Sequence, residues 1–252
     1  MRKVALICAA AIVGALSVTA VASAIQGTQT VTVSVQSNRA GTPAKPRSVG
    51  RLTVVTGTTI VPGEPSWAAT ETTIHFDRNL VFSSRGFPTC SQTQVQQDDS
   101  RCPRGLRVGT GAAQATLFSG TAVSGQPTPT VTAYNGPRGP LGPRLFLLVV
   151  NQSPAVRAVM VGTLKPDTGR FGRKLDIAAI PQVPQNGGFP GLTISLTRFQ
   201  TSVGGTFRGT PYVALRGCTG GKLNFRGDFK FRDSAGVVST TSAASTANCR
   251  RS

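Results

Sequence analysis

Histidine occurs once in this chain, as His75, tryptophan once, as Trp67, and tyrosine only twice, as Tyr134 and Tyr212. A site built on several imidazoles is therefore excluded, and a zinc centre would have to rest on cysteines spaced far from paired C-x2-C. A sugar-binding face, which stacks exposed Trp or Tyr on its ligand, has almost nothing to use. Acidic side chains are scarce too, nine against 27 Lys and Arg, for a formal net charge of +18. Paired-carboxylate chemistry is left with Glu64 and Glu71, or with Asp98 and Asp99, which as neighbours point apart. No apolar period of 3.6 residues persists for three turns. After residue 24 the longest apolar run, 145–150, has six residues, which suits a buried strand and not a membrane span.

The one long apolar stretch is at the start. Met1-Arg2-Lys3 is followed by apolar or small residues to Val21, and Ala22-Ser23-Ala24 has the A-x-A form of a cleavage site. This layout predicts a secretory signal peptide over 1–24, removed after Ala24, and a single exported domain over 25–252. Cys8 falls inside the leader. The four remaining cysteines, Cys90, Cys102, Cys218 and Cys249, are then expected to oxidise. Four cysteines allow three connectivities. Nearest-neighbour pairing, Cys90–Cys102 and Cys218–Cys249, closes short local loops. Each bridge would contribute about 3 to 4 kcal/mol through loop entropy.

What the mature chain does have is Gly, Pro, Thr and Val in quantity. Short β-branched or alternating runs recur over 30–35, 52–61, 72–82, 113–118, 128–134, 145–150, 156–164, 174–180, 192–199, 211–215 and 222–231. About eleven strands separated by Gly- or Pro-bearing breaks predict an all-β, antiparallel β-sandwich with two disulfides and negligible helix after the leader. Within 222–232, Leu223, Phe225, Phe229 and Phe231 share one parity and Asn224, Arg226, Asp228, Lys230 and Arg232 the other, so one face is buried and one wet. Gly227 sits on the apolar parity, where a bend or a close approach is expected. Arg78 interrupts the run from 72 to 82 and marks a bulge or strand end. Turn-rich stretches at 37–50, 120–129 and 183–191 are too short to divide the chain.

Three passages carry a family resemblance: Gly41-Thr-Pro-Ala-Lys-Pro46; Gly86-Phe-Pro-Thr-Cys90 with Arg101-Cys102-Pro103 and Val108-Gly-Thr-Gly111; and Cys218-Thr-Gly-Gly-Lys222 with the later Cys249. On these the chain resembles exported β-rich proteins of high-GC actinobacteria. The resemblance implies an export signal, a β-rich fold and paired disulfides. It brings no activity and no functional residues.

Catalytic constellations do not assemble. His75 with Asp77 and a serine would satisfy the arithmetic of a triad, but no G-x-S-x-G elbow surrounds a serine. Val108-Gly-Thr-Gly111 lacks a third glycine and a following helix, and reads as a glycine-kinked strand. Gly136-Pro-Arg-Gly-Pro-Leu-Gly-Pro-Arg144 reads as an exposed polyproline-like loop, with Arg138 and Arg144 as ligand contacts, and Trp67 is the best single aromatic anchor. The charges are spread along the sequence, with no block of five of one sign. The expectation is a secreted, loosely wall-associated protein without catalytic machinery, metal or cofactor. It would be a structural or binding protein of the cell envelope that contacts anionic polymers, with no specific nucleic-acid signature. A hydrolase site built from distant loops and a carbohydrate-binding module are the alternatives.

Overall fold

The computed structural model describes residues 28–59, 67–153, 155–181, 192–232 and 236–251. The leader, Glu64 and the 183–191 stretch lie outside the described residues. The strands begin with β1 (Gln29–Val35), β2 (Arg47–Ser48), β3 (Arg51–Thr58), β4 (Ala68–Asp77) and β5 (Leu80–Phe82). A short helix α1 (Gln92–Asp98) precedes β6 (Arg107–Ser119), β7 (Ala122–Gly125), β8 (Thr130–Gly139), β9 (Gly142–Asn151), β10 (Val156–Pro166) and β11 (Phe171–Ile177). Then come β12 (Leu192–Gly204), β13 (Thr206–Phe207), β14 (Thr210–Pro211), β15 (Val213–Leu215), β16 (Lys222–Arg232) and β17 (Val238–Asn248).

One antiparallel sheet takes eleven of these in the order β1-β3-β12-β6-β8-β9-β10-β11-β4-β16-β17, with β7 beside β6. The sheet curls until its two edges meet. β1 and β17 lie side by side, and the Val33 amide donates to Ser245 Oγ across the seam at 3.3 Å. The all-β antiparallel expectation holds, in the nearly closed, barrel-like form of that architecture. Rolling the sheet leaves each edge strand covered by the other instead of exposed for pairing.

The interior follows from alternation. β16 turns Leu223, Phe225, Phe229 and Phe231 inward, all nearly inaccessible, and half-exposes the charged residues between them. Gly227 is on the inward parity because a Cβ there would stand 2.6 Å from the Phe229 ring, which lies over it. Gly111 has the same logic on β6, where a Cβ would meet the Gln200 carbonyl oxygen at 1.9 Å. The Val108–Gly111 stretch is thus strand packed close to β12, as its glycines suggested. The run 145–150 is apolar throughout because β9 is buried on both faces. Its outer face is covered by the segment from Cys90 to Cys102. Val95 of α1 packs there with Leu106, Phe146, Leu148 and Val159 in a second, smaller core.

Both disulfides form in nearest-neighbour connectivity, with Cα separations of 5.6 Å for Cys90–Cys102 and 5.7 Å for Cys218–Cys249. Three features depart from the sequence expectation. The segment inside the first disulfide holds α1, started by a capping box in which Ser91 Oγ accepts from the Gln94 amide and the Gln94 side chain bonds back to the Ser91 amide. The proline-rich stretch 136–144 is not a polyproline loop: β8 and β9 pair through Gly136↔Arg144 and Gly139↔Gly142, so Pro140-Leu141 is a tight hairpin turn. β17 is a full strand whose residues 239–247 are all Ser, Thr or Ala, with no large inward side chain to reveal it.

Candidate functional site

The strand registers sort the chain into two ends. Val35 pairs Leu52, Gly204 pairs Arg51, Arg107 pairs Tyr134, Phe171 pairs Asp77 and Lys222 pairs Asn248, so these termini gather at one end. Thr58, Ser119, Asn151 and Arg232 gather at the other. The first end is plugged. The small sheet β2-β15-β5 lies across it, and Tyr212, Val213 and Leu215 are buried beneath. Asn135, fully buried, fastens the plug: its Nδ2 lies 3.1, 3.3 and 3.2 Å from the carbonyl oxygens of Ser84, Phe87 and Pro88. Burial pushes the Tyr212 phenol well above its ordinary value, so it remains a neutral part of that plug.

Most of the arginines fall on this plugged end, because they occupy strand termini and the turns between them. Arg51 and Arg107 open β3 and β6, Arg138 sits at the tip of the β8–β9 hairpin, and all three are exposed. Arg78, Arg170 and Arg216 form a cluster held by backbone. The Arg78 amide donates to the Arg170 carbonyl at 3.1 Å, and Arg216 Nε donates to the Arg78 carbonyl at 3.1 Å. Arg39 and Arg250 are set side by side by a parallel bridge. Basic residues spread through the sequence are thus gathered at one end of the fold.

No described carboxylate forms an ion pair with these arginines. Asp77, buried at 3% exposure, accepts from the Asn79 amide and Nδ2 and from the Asn224 amide and Nδ2. Glu71 pairs Lys230, Asp98 pairs Arg101, and Asp176 pairs Lys165. Asp99 binds Arg157 at 2.6 Å and accepts from Tyr134. Burial, with that carboxylate as partner, pushes the Tyr134 phenol up to about 12. Asp98 and Asp99 are thus cap and anchor for the disulfide segment. No cluster of His, Cys, Asp or Glu suited to a metal ion occurs among the described residues.

His75 does acquire carboxylate partners, though not Asp77. On the outer face of β4 its Nδ1 lies 2.6 Å from Asp167 Oδ2 and its Nε2 2.8 Å from Asp228 Oδ2. Ser242 Oγ donates to Asp228 Oδ1 at 2.8 Å, and Arg226 binds the same carboxylate at 2.8 Å. The serine therefore meets the carboxylate and not the imidazole. Both ring nitrogens are occupied by carboxylates, so no nucleophile–base contact exists here. The cluster clamps the β10–β11 turn to β16. Burial raises the Asp167 carboxyl, but hydrogen bonds from His75 and the Thr168 amide outweigh it and hold the group below the usual range; Asp228 is held low in the same way, chiefly by Ser242 and His75. Carboxyls depressed in the fold contribute stability above the unfolded carboxylate range, about pH 4, and lose it as pH falls through their folded values. Thermal melts from pH 7 to pH 3 should show a drop below pH 4 that Asp167→Asn flattens.

The remaining sequence candidates are not brought together. Arg138 and Arg144 share the β8–β9 hairpin at the plugged end, but the Arg144 side chain folds back over Gly139. Trp67 lies at the opposite end, just before β4. It is half-buried against the main core, with its carbonyl accepting from Ser195 Oγ at 3.0 Å, so it is no exposed anchor.

No family model and no curated protein matches the chain. Among solved structures it is similar to ACE19, the collagen-binding subdomain of the Enterococcus faecalis surface protein ACE, at 5% identity over 88% of this chain and 95% of that one, with a TM-score of 0.29. That score carries no functional argument. No helix among the described residues is long and apolar enough to cross a membrane.

Proposed function

We propose that the protein is an exported, non-catalytic binding protein of the cell envelope. Its plugged, arginine-rich end engages an anionic wall polysaccharide. The observation that carries this reading is the gathering of arginines at one end while the described carboxylates bind other partners, Asp77 its asparagines, Asp167 and Asp228 His75, and the rest Lys230, Lys165, Arg101 and Arg157. Like charges gathered on one surface repel one another, and an anionic polymer relieves that repulsion. Arginine suits the partner because its planar fork grips phosphate or carboxylate in pairs. The two disulfides and the leader fit an oxidising, exported setting, as does the resemblance to exported β-rich actinobacterial proteins.

Binding to purified anionic wall polysaccharide, measured at several salt concentrations with neutral dextran and duplex DNA as comparators, tests this. The triple variant Arg78→Gln, Arg170→Gln, Arg216→Gln should weaken binding. It should also flatten the dependence of log affinity on log salt by about one unit per arginine engaged. Arg198→Gln with Arg232→Gln, away from the plugged end, should change little. Retention indifferent to salt, or equal losses from the two variant sets, would overturn the reading; tighter binding to DNA would reassign the partner.

A further inference from the structure

Eleven strands enclose a wider interior than side chains readily fill; about eight suffice to leave one packed with side chains or holding a single small ligand. The consequence is visible as two adjoining apolar chambers. The inner, of about 80 Å³, lies under the plug and is bounded by Phe82 and Tyr212. The outer, of about 120 Å³, reaches the far end at Pro127, Asn151 and Pro181. Met160, Ile180, Leu196 and Phe199 border both and mark the neck where the two chambers adjoin. Among the described residues no lysine, arginine or carboxylate lines either chamber. Apolar cavities of this scale stay dry and accept molecules the size of benzene.

One polar atom in the inner chamber is unaccounted for. Thr201 Oγ1, on β12 beside inward-facing Phe199 and Val203, is buried and has no hydrogen-bond partner. A buried hydroxyl without a partner is costly, and in a dry apolar chamber water does not relieve it. We infer that this lumen is a binding site for a small uncharged amphiphile: an apolar ring or short alkyl body lying between the chambers, with a single hydroxyl or carbonyl that meets Thr201. A charged head is disfavoured, because no described side chain lining the lumen would offset its desolvation. The site faces away from the arginine-rich end and stands independently of the polysaccharide reading.

The chain contains two methionines, Met1 in the leader and Met160 at the neck, so methyl-labelled methionine reports on the lumen directly. Titration with n-hexanol should move the Met160 methyl resonance saturably and raise the melting temperature. Hexanoate at neutral pH should bind at least roughly tenfold more weakly. Thr201→Val should weaken hexanol by roughly three- to tenfold while leaving toluene unchanged. Filling the outer chamber with Ala115→Leu and Ala158→Leu should abolish the response to both probes. A Met160 resonance that neither hexanol nor toluene moves up to their solubility limits overturns the proposal without recourse to any variant. Equal affinity of hexanol for the Thr201→Val protein overturns the role of the hydroxyl.

Discussion

Replacing both Cys218 and Cys249 by alanine is expected to lower the unfolding free energy by about 4 kcal/mol, against about 3 kcal/mol for the corresponding pair at Cys90 and Cys102. The difference comes from loop closure in the unfolded chain, since Cys218–Cys249 spans 31 residues and Cys90–Cys102 spans 12. Position adds to it. Cys218 follows β15 in the plug and Cys249 follows β17, so this bridge ties the last strand to the cap of the barrel. β17 has no fully buried side chain. It is held by the β16 ladder, the disulfide, the backbone bonds that Arg250 makes with Asn38 and Ala40, and the hydroxyl bonds of Ser242 to Asp228 and of Ser245 with the Val33 amide. Amide exchange should show 238–248 losing protection first in the double variant. A loss below about 1 kcal/mol, or unchanged protection of β17, would show that the seam does not depend on the bridge.

Phe225→Ala is the second large effect, expected at about 3 to 5 kcal/mol in urea denaturation. Phe225 is 1% exposed and meets Phe76 edge-to-face, with centroids 6.5 Å apart at 85°. Such a pair contributes about 0.5 to 1.5 kcal/mol beyond its buried area. Leu223 and Phe231 sit on the same inward face, with β4 and β17 on either side, so the vacated volume has few ways to collapse. Asn224→Ala, on the opposite face, removes a side-chain bond to Asp77 but keeps the backbone bond that Asp77 also accepts, and should cost far less. A Phe225→Ala loss no larger than that of Asn224→Ala would mean the interior at β16 is loosely packed.

How much of this was legible residue by residue follows from what each element buries. β16 and β9 announced themselves, the first by strict alternation and the second by an unbroken apolar run. The strand break at Arg78 was legible too, since a charged residue fell on the apolar parity. β17 was silent because an edge strand closing a seam against β1 buries only alanine and hydroxyl side chains. The helix inside the first disulfide had a readable start, Ser91 three residues before Gln94, but its single fully buried residue, Val95, creates no period. The proline-rich stretch misled because prolines in a hairpin end look like an extended loop unless their pairing partners are known.

The sequence by itself determined the class and pointed to the covalent frame: a leader pattern, an antiparallel all-β chain, and four cysteines whose nearest-neighbour pairing was one of three connectivities until the structure fixed it. Those features depend on local alternation, on turn residues and on short loops, all of which are written within a few dozen residues. Only the tertiary structure decided what the surface and interior can do. Arginines far apart in the chain converge because each sits at the same end of its strand. His75 finds Asp167 and Asp228 across sheet neighbours. The width of an eleven-strand roll, which no single strand encodes, leaves an apolar lumen with one unpartnered hydroxyl.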